Sequence, residues 1–270
     1  MSGWRLLLQR PSTVRLDLRG VLPSTLATLS VAEIERLPVG HGKAFAPLAE
    51  FFDLQAQTDD GLTFEGDLSR VDRIGWQMAD GRIVVDGPAG DYVGACMSGG
   101  SVQVNGDAGL LAACEMSGGA LTIAGNAGDF AAAGLPGSMD GMRGGTLVVQ
   151  GRVGERFGDR MRRGSAIVHG DAGDFLASRM VAGTIAIGGR AGAHAGFGMR
   201  RGSLVFASHP FDVPPTFVPA GGDAPVFWQL LARDLARFGG VFATLPARRI
   251  ERHLGDLAAN GKGEIIFTRD

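Results

Sequence analysis

The sequence predicts an all-β fold, a right-handed parallel β-helix of about seven coils of 19 residues with small α/β caps at both ends. Three observations carry that expectation. Seven of the nine methionines fall at 78, 97, 116, 142, 161, 180 and 199, so that five of the six spacings are 19 residues and one is 26. Glycine makes up 44 of 270 residues, more than twice the usual ~7%. The glycines keep phase with the methionines, and an internal repeat of fixed period is the signature of a stacked architecture.

Counting each unit from its Met, the fourth residue is Gly81, Gly100, Gly119, Gly145, Gly164, Gly183 and Gly202. The tenth is Gly87, Gly106, Gly125, Gly151, Gly170 and Gly189, and the thirteenth is Gly90, Gly109, Gly128, Gly154, Gly173 and Gly192. Positions six and eight are aliphatic, as in Ile83/Val85, Val102/Val104, Leu121/Ile123, Leu147/Val149 and Ile185/Ile187. The consensus reads M-x-G-G-x-Φ-x-Φ-x-G-x-A-G-x-x-x-G, and Gly61-Leu-Thr-Phe-Glu-Gly66 is an imperfect earlier copy. A Φ-x-Φ pair between glycines is a short strand with one buried face. Glycine this dense excludes a helix in every unit, and its turns need positive φ or close backbone approach. One unit buries too little to order itself, so neighbours must stack in parallel at about 4.8 Å per repeat. The right hand follows from the chirality of parallel crossovers.

Leucine-rich repeats, hexapeptide helices and calcium-binding nonapeptide arrays each lack a needed signal here: the L-x-x-L-x-L frame, a sub-period of six, and an Asp column after G-x-G. The repeat region is assigned to residues 58–209, an N-terminal cap to 1–57 and a C-terminal cap to 210–270. In the first flank, Trp4–Leu8 and Val14–Leu18 read as strands. Ser30-x-x-Glu33 reads as a capping box opening a helix, and Phe45–Leu54 as a second short helix. After the Pro-rich stretch Pro210–Pro225 come a helix over Val226–Phe238, a strand over Val241–Leu245, a helix over Arg248–Ala259 and a strand over Ile265–Thr268. Caps of this kind cover the open edges of a stack. The third unit carries seven extra residues within Gly134–Gly141, a loop on one face that is either a partner contact or a neutral bulge.

Composition narrows the function classes. Net charge is −2, which argues against nucleic-acid binding through clustered cations. No apolar run reaches the ~18 residues of a membrane span, and Met1–Asp17 does not read as a signal peptide. The two cysteines, Cys96 and Cys114, form no Cys-x-x-Cys and fit a reduced cytoplasm; both read as small buried hydrophobes. His41, His169, His194, His209 and His253 show no zinc-ligand spacing and read as surface or loop residues. The carboxylates at position fourteen (Asp91, Asp129, Glu155, Asp174) are interrupted by Leu110 and Ala193, and read as solvated turns rather than a metal ladder. No residue is assigned a catalytic, cofactor-binding or metal-binding role.

One electrostatic pattern stands out. Arg143, Arg160, Arg162, Arg163, Arg179, Arg200 and Arg201 occupy positions nineteen, two and three of the later units, where earlier units carry Ser98-Gly99, Ser117-Gly118 and Ala79-Asp80. Like charges stacked one strand apart repel, and arginine suits bidentate carboxylate recognition. These seven residues are the candidate partner or carrier surface.

The G-x-x-G-x-x-x-G repeat within M-x-G-G-x-Φ-x-Φ-x-G-x-A-G resembles two related repeat families, the C-terminal domain of the glutamate synthase large subunit and the C-subunit of formylmethanofuran dehydrogenase. The resemblance covers residues 60–207, and the flanks only loosely. With no amidotransferase or flavin domain on the chain, the formylmethanofuran dehydrogenase family is favoured. An Arg- and Ala-rich composition with only Lys43 and Lys262 points to its bacterial formyltransferase/hydrolase branch. The resemblance implies a non-catalytic scaffold subunit of a one-carbon complex that moves formyl from formyl-tetrahydromethanopterin through a methanofuran-type carrier to formate. It implies a formyltransferase subunit and an amidohydrolase-like subunit with a metal centre as partners, with no cofactor in this chain. An acidic, polyglutamate-like carrier tail is the further partner proposed for the arginines. The alternative is a stand-alone glutamate-synthase-like module of an amidotransferase system.

Overall fold

The computed structural model describes residues 3–9, 12–208, 213–220 and 225–269. His209 and much of Pro210–Pro225 lie outside the described residues. The chain opens with β1 (Gly3–Leu8) and β2 (Leu16–Asp17), then two short helices, α1 (Pro23–Leu26) and α2 (Val31–Glu35). Ser30 and Glu33 close the capping box at the start of α2, the Ser30 amide and hydroxyl both donating to the Glu33 carboxylate at 2.8 and 2.6 Å. There follow β3 (Pro38–His41), β4 (Ala44–Pro47), a single 3-10 turn over Leu48–Glu50, and β5 (Phe52–Gln57). The segment Phe45–Leu54 is therefore two strands broken by a turn and not a helix. Pro47 withholds an amide that a helix interior would use, and β3 and β1 offer antiparallel edges to β4 and β5.

Next come β6 (Leu62–Glu65) and β7 (Val71–Asp72), then one strand for each Met-containing repeat: β8 (Arg82–Asp86), β9 (Ser101–Val104), β10 (Ala120–Ile123), β11 (Arg143–Val149), β12 (Arg163–Val168), β13 (Thr184–Ile187) and β14 (Ser203–Phe206). The last flank holds β15 (Val218–Pro219), α3 (Pro225–Ala236), β16 (Arg249–Gly255) and β17 (Gly263–Arg269). Two 3-10 turns replace the strand expected at Val241–Leu245, and β16 replaces the helix expected at Arg248–Ala259. The reason lies at the sheet edge: β17 pairs in parallel with β14 and exposes its other side, which β16 covers antiparallel. Ion pairs Arg252–Glu264 (3.0 Å) and Arg269–Glu251 then lock the two strands together across their register.

The expected right-handed parallel β-helix of seven coils is overturned by this hydrogen bonding. The repeats contribute one strand each to a single 13-stranded sheet, ordered β15-β16-β17-β14-β13-β12-β11-β10-β9-β8-β6-β1-β5, parallel except at its ends. A separate four-stranded sheet, β4-β3-β2-β7, lies in the N-terminal part. Outside its strand a repeat makes only one single-residue parallel bridge per neighbour, along Leu68, Ala89, Ala108, Ala127, Val153, Ala172 and Ala191. The physical reason is dihedral. Positions fifteen, seventeen and nineteen are left-handed in unit after unit, as at Leu111 (φ 61°), Ala113 (54°) and Glu115 (52°), which converts that third of the repeat into consecutive turns. A second strand cannot form there.

Register between repeats is strict. Leu121 pairs with Val102 and Leu147, and Ile123 with Val104 and Val149. Between strands the stacking continues through the turns, where the amide after each Met donates to the preceding Met carbonyl, as for Ser98→Met78 (2.9 Å), Ser117→Met97 (2.7 Å) and Arg200→Met180 (2.8 Å). All seven repeat methionines are fully buried and form a column within the main core. Gly119 shows why position four tolerates nothing larger: its φ is +78°, and a Cβ would stand 2.6 Å from the Gly100 carbonyl of the repeat below. On the other face of the sheet, Ile167, Ala186, Val205 and Ile266 are sealed by Trp228, Ala232 and Leu235 of α3 together with Phe242 and Leu245. No helix among the described residues is long and apolar enough to cross a membrane.

His169 lies half-buried at the edge of this second core, its ring edge-on to Phe242 at 5.1 Å, and its Nε2 has no hydrogen-bond partner. Burial pushes its pKa below the ordinary 6.5. A proton binds more tightly to the unfolded chain, so this contribution to stability is complete above pH 6.5 and is lost as pH falls toward the folded-state value. The fall in urea midpoint between pH 7.5 and pH 5.5 should therefore be larger for the wild-type chain than for His169→Gln; equal falls would contradict the assignment.

Candidate anion and partner surface

The seven arginines singled out from the sequence do not form one continuous stripe. Arg160, Arg162, Arg179 and Arg200 line a single pocket of about 350 Å³ with Met139, Val181, Gly198 and Ala259. Arg143, Arg163 and Arg201 lie outside it, all three exposed. Arg143 is opposite Arg163 in the β11–β12 register, a like-charged cross-strand pair, and reaches back to Glu115 at 3.6 Å. Arg163, Arg200 and Arg201 make no ion pair or side-chain hydrogen bond among the described residues.

The pocket is organised from below and from one side. Asp159 is buried and accepts Nε and Nη2 of Arg179 at 3.0 and 2.8 Å, while the Ser178 hydroxyl donates to its Oδ1 at 2.5 Å. A two-point carboxylate grip fixes the plane of the guanidinium. The seven-residue insertion supplies the side wall. Arg160 Nη1 donates to the Ser138 carbonyl at 2.6 Å and lies 3.0 Å from Met139 Sδ, and Arg162 Nε meets Asp140 at 2.5 Å. Gly141 ties the insertion to the stack by donating its amide to the Arg160 carbonyl at 2.9 Å. Four guanidinium groups thus face two carboxylates, Asp159 and Asp140, and the excess positive charge collects where Arg200 has no counter-ion. Such a site favours an oxyanion or a carboxylate.

The other sequence candidates are placed as follows. Three of the four position-fourteen carboxylates cap backbone amides of the next repeat: Asp91 accepts from Leu110, Asp129 from Glu155 and Asp174 from Ala193, at 2.8–2.9 Å, and Glu155 makes no such bond among the described residues. Asp107, Asn126 and Asp171 at position eleven do the same for Asn126, Arg152 and Arg190. These oxygens are committed to the turns. Cys114 is buried and Cys96 half-buried. Desolvation pushes both thiols up, with the charge of Glu115 adding to it, so neither is a thiolate at neutral pH. Among the described residues no group of three or more His, Cys, Asp and Glu could hold a metal ion.

A further feature stays hidden while His194 is considered alone. Position fifteen reads Tyr92, Leu111, Phe130, Arg156, Phe175 and His194, and aligning that column is the signal that finds it. In the structure Arg156 lies over Phe175 at 4.6 Å and Phe130 at 6.0 Å, and His194 stacks on Phe175 at 4.8 Å.

Removing the buried Asp159 carboxylate should loosen the pocket floor. Asp159→Ala is expected to lower unfolding stability by roughly 2 kcal/mol, read as a lower urea midpoint; an unchanged midpoint would mean the grip on Arg179 is inconsequential.

No protein-family model matches the sequence. The C-subunit of the formyltransferase/hydrolase complex Fhc of Methylorubrum extorquens is 42% identical over 76 residues, covering 28% of this chain and 29% of that protein. The C-subunit of a molybdenum-containing formylmethanofuran dehydrogenase of Methanosarcina barkeri is 35% identical over 85 residues, covering 30% of this chain and 28% of that protein. These alignments span under a third of the curated relatives. A chain in the crystal structure of the M. extorquens formyltransferase/hydrolase complex with methylofuran matches over nearly the whole length: 98% of this chain and 100% of that chain, at 38% identity and a TM-score of 0.93. With that full-length likeness, and with sequence relatives that are all C-subunits, this chain belongs to the C-subunit family of formyltransferase/hydrolase complexes and formylmethanofuran dehydrogenases.

Proposed function

We propose that this chain is a non-catalytic scaffold subunit of a one-carbon formyltransferase/hydrolase complex. The observation that carries the reading is the full-length structural match to a chain of such a complex. In this reading a formyltransferase chain and an amidohydrolase-like chain are its partners. Formyl passes from formyl-tetrahydromethanopterin to a methanofuran-type carrier and leaves as formate, with the metal centre in another subunit and the whole assembly in the cytoplasm. A rigid, hydrogen-bonded stack suits a body that holds other chains at fixed separations.

The arginine pocket is the proposed contact for a catalytic subunit or for an acidic, polyglutamate-like carrier tail. Its charge excess and the freedom of Arg200 support that role, and guanidinium forks match carboxylates in geometry. The residues outside the pocket, Arg143, Arg163 and Arg201, extend the positive field around it. No observation favours the glutamate-synthase-like alternative.

The test is affinity purification of the tagged full-length chain from its native host, followed by native mass spectrometry. Formyltransferase and amidohydrolase-like chains should co-purify, and reversing Arg162, Arg163, Arg200 and Arg201 to Glu should weaken their retention about tenfold or more. Recovery of the wild-type chain alone, or with amidotransferase and flavin chains, would overturn the proposal.

A further inference from the structure

The column at position fifteen is built unlike the rest of the surface. Every member is left-handed, with φ of 63° at Tyr92, 59° at Phe130, 55° at Arg156, 57° at Phe175 and 61° at His194. Phe130 and Phe197 are 38% and 56% exposed. Phe197 stands edge-on to Phe175 at 6.1 Å, so four aromatic or imidazole rings and one guanidinium form a single contiguous ladder. An apolar, solvent-facing ladder on a rigid backbone is costly unless something covers it.

Arg156 gives the ladder its chemistry. A guanidinium attracted to ring faces spends none of its hydrogen-bond donors on them and keeps its planar fork available for a carboxylate. Among the described residues Arg156 makes no side-chain hydrogen bond or ion pair. Asp129 and Asp174, the carboxylates of the adjoining turns, each commit Oδ1 to a backbone amide, and Glu155 does not pair with it. The side chain is thus positioned by stacking alone, with its donors unspent. Aromatic residues and arginine are the types that dominate the energetic centres of protein interfaces.

We propose that Phe130, Arg156, Phe175, His194 and Phe197 form a docking face for another protein chain of the complex. The partner's surface presents a carboxylate to Arg156, flanked by apolar side chains that cover Phe130 and Phe197. This inference rests on the scaffold reading, but it uses a face separate in composition from the arginine pocket, mainly apolar and with one unpaired cation. A second copy of this chain fits poorly, because a two-fold contact sets the same patch against itself, and these five residues include no carboxylate to meet Arg156.

The experiment compares the complex purified through the tagged full-length chain in its wild-type form, as Arg156→Gln, and as Phe197→Ala. Native mass spectrometry over a dilution series reads the dissociation constant, and circular-dichroism melting of each chain checks the fold. Phe197 is more than half exposed, so its variant should melt unchanged. Arg156→Gln, which gives up only the stacking on Phe130 and Phe175, should melt within a few degrees of the wild type. Each variant should nonetheless release a partner chain at least about tenfold more readily. Arg156→Lys, which keeps the charge but loses the planar fork, should recover only part of the affinity. If the wild-type complex forms and the variants hold their partners equally well, the docking face is wrong and the scaffold reading stands. If the wild-type chain is recovered alone, both fall. If it forms a homodimer that the same variants break, self-association replaces the proposal.

Discussion

Stacking in register at a period of 19 residues is the constraint on which the other features depend. Each repeat places its strand, its Met and its left-handed glycine against the same groups of the next repeat, and most add a turn Asp or Asn oxygen that accepts a hydrogen bond from the neighbour. The strand residues bond through the 13-stranded sheet. The Met turn bonds through the amide that follows each Met, and the later turns bond through Asp and Asn oxygens that accept from the next repeat. Nothing within one repeat satisfies these groups, and an unpaired buried backbone group is expensive. The chain therefore orders cooperatively, or not at all, along this axis.

The same constraint decides what the surface can do. A residue that recurs at one position becomes a column at one-strand spacing, whatever its chemistry. Apolar residues at positions one, six and eight become the core. Arginines at nineteen and two become a pocket, because the insertion after Gly134 breaks the period once and folds its Ser138 carbonyl and Asp140 carboxylate back onto Arg160 and Arg162. Aromatic residues at fifteen become a ladder that grips Arg156. Chemistry of the acid–base or nucleophilic kind needs unlike groups converging at one point. A stack of like positions displays repeated groups instead, which suits binding and spacing.

Much of this was legible in the residues. The Met and Gly columns located the repeat strands β8 to β14, and the imperfect copy Gly61–Gly66 located β6, whereas β7 carried no such signal. Ser30 and Glu33 marked a helix start that forms, and the spacing of apolar residues after Pro225 marked α3. What the period could not convey was how little of each repeat is extended. The left-handed residues at fifteen, seventeen and nineteen include Leu111, Phe130 and Glu115, types that carry no propensity signal for positive φ, and so the closed helix expected from the repeat is in fact one broad sheet with turn-rich returns. Arg248–Ala259 and Phe45–Leu54 read as helices because local preference says nothing of an open sheet edge nearby. In the fold, β17 recruits the first as a strand, and β3 and β1 recruit the second. The arginines were visible as a set, but their division into four that share a pocket and three that do not follows from the fold of the insertion.

The most direct test of this account is a pair of deletions within the full-length chain, compared by urea unfolding. Removing residues 97–115 excises one whole period and leaves every column in phase, so that the chain should fold cooperatively with a modestly lower midpoint. Removing Thr122 alone takes one residue from the middle of β10 and sets the core residues Leu121 and Ile123 on opposite faces of the sheet, which should lower the midpoint far more or abolish cooperative unfolding. If the two deletions behaved alike, in-register stacking would not be what holds the molecule together.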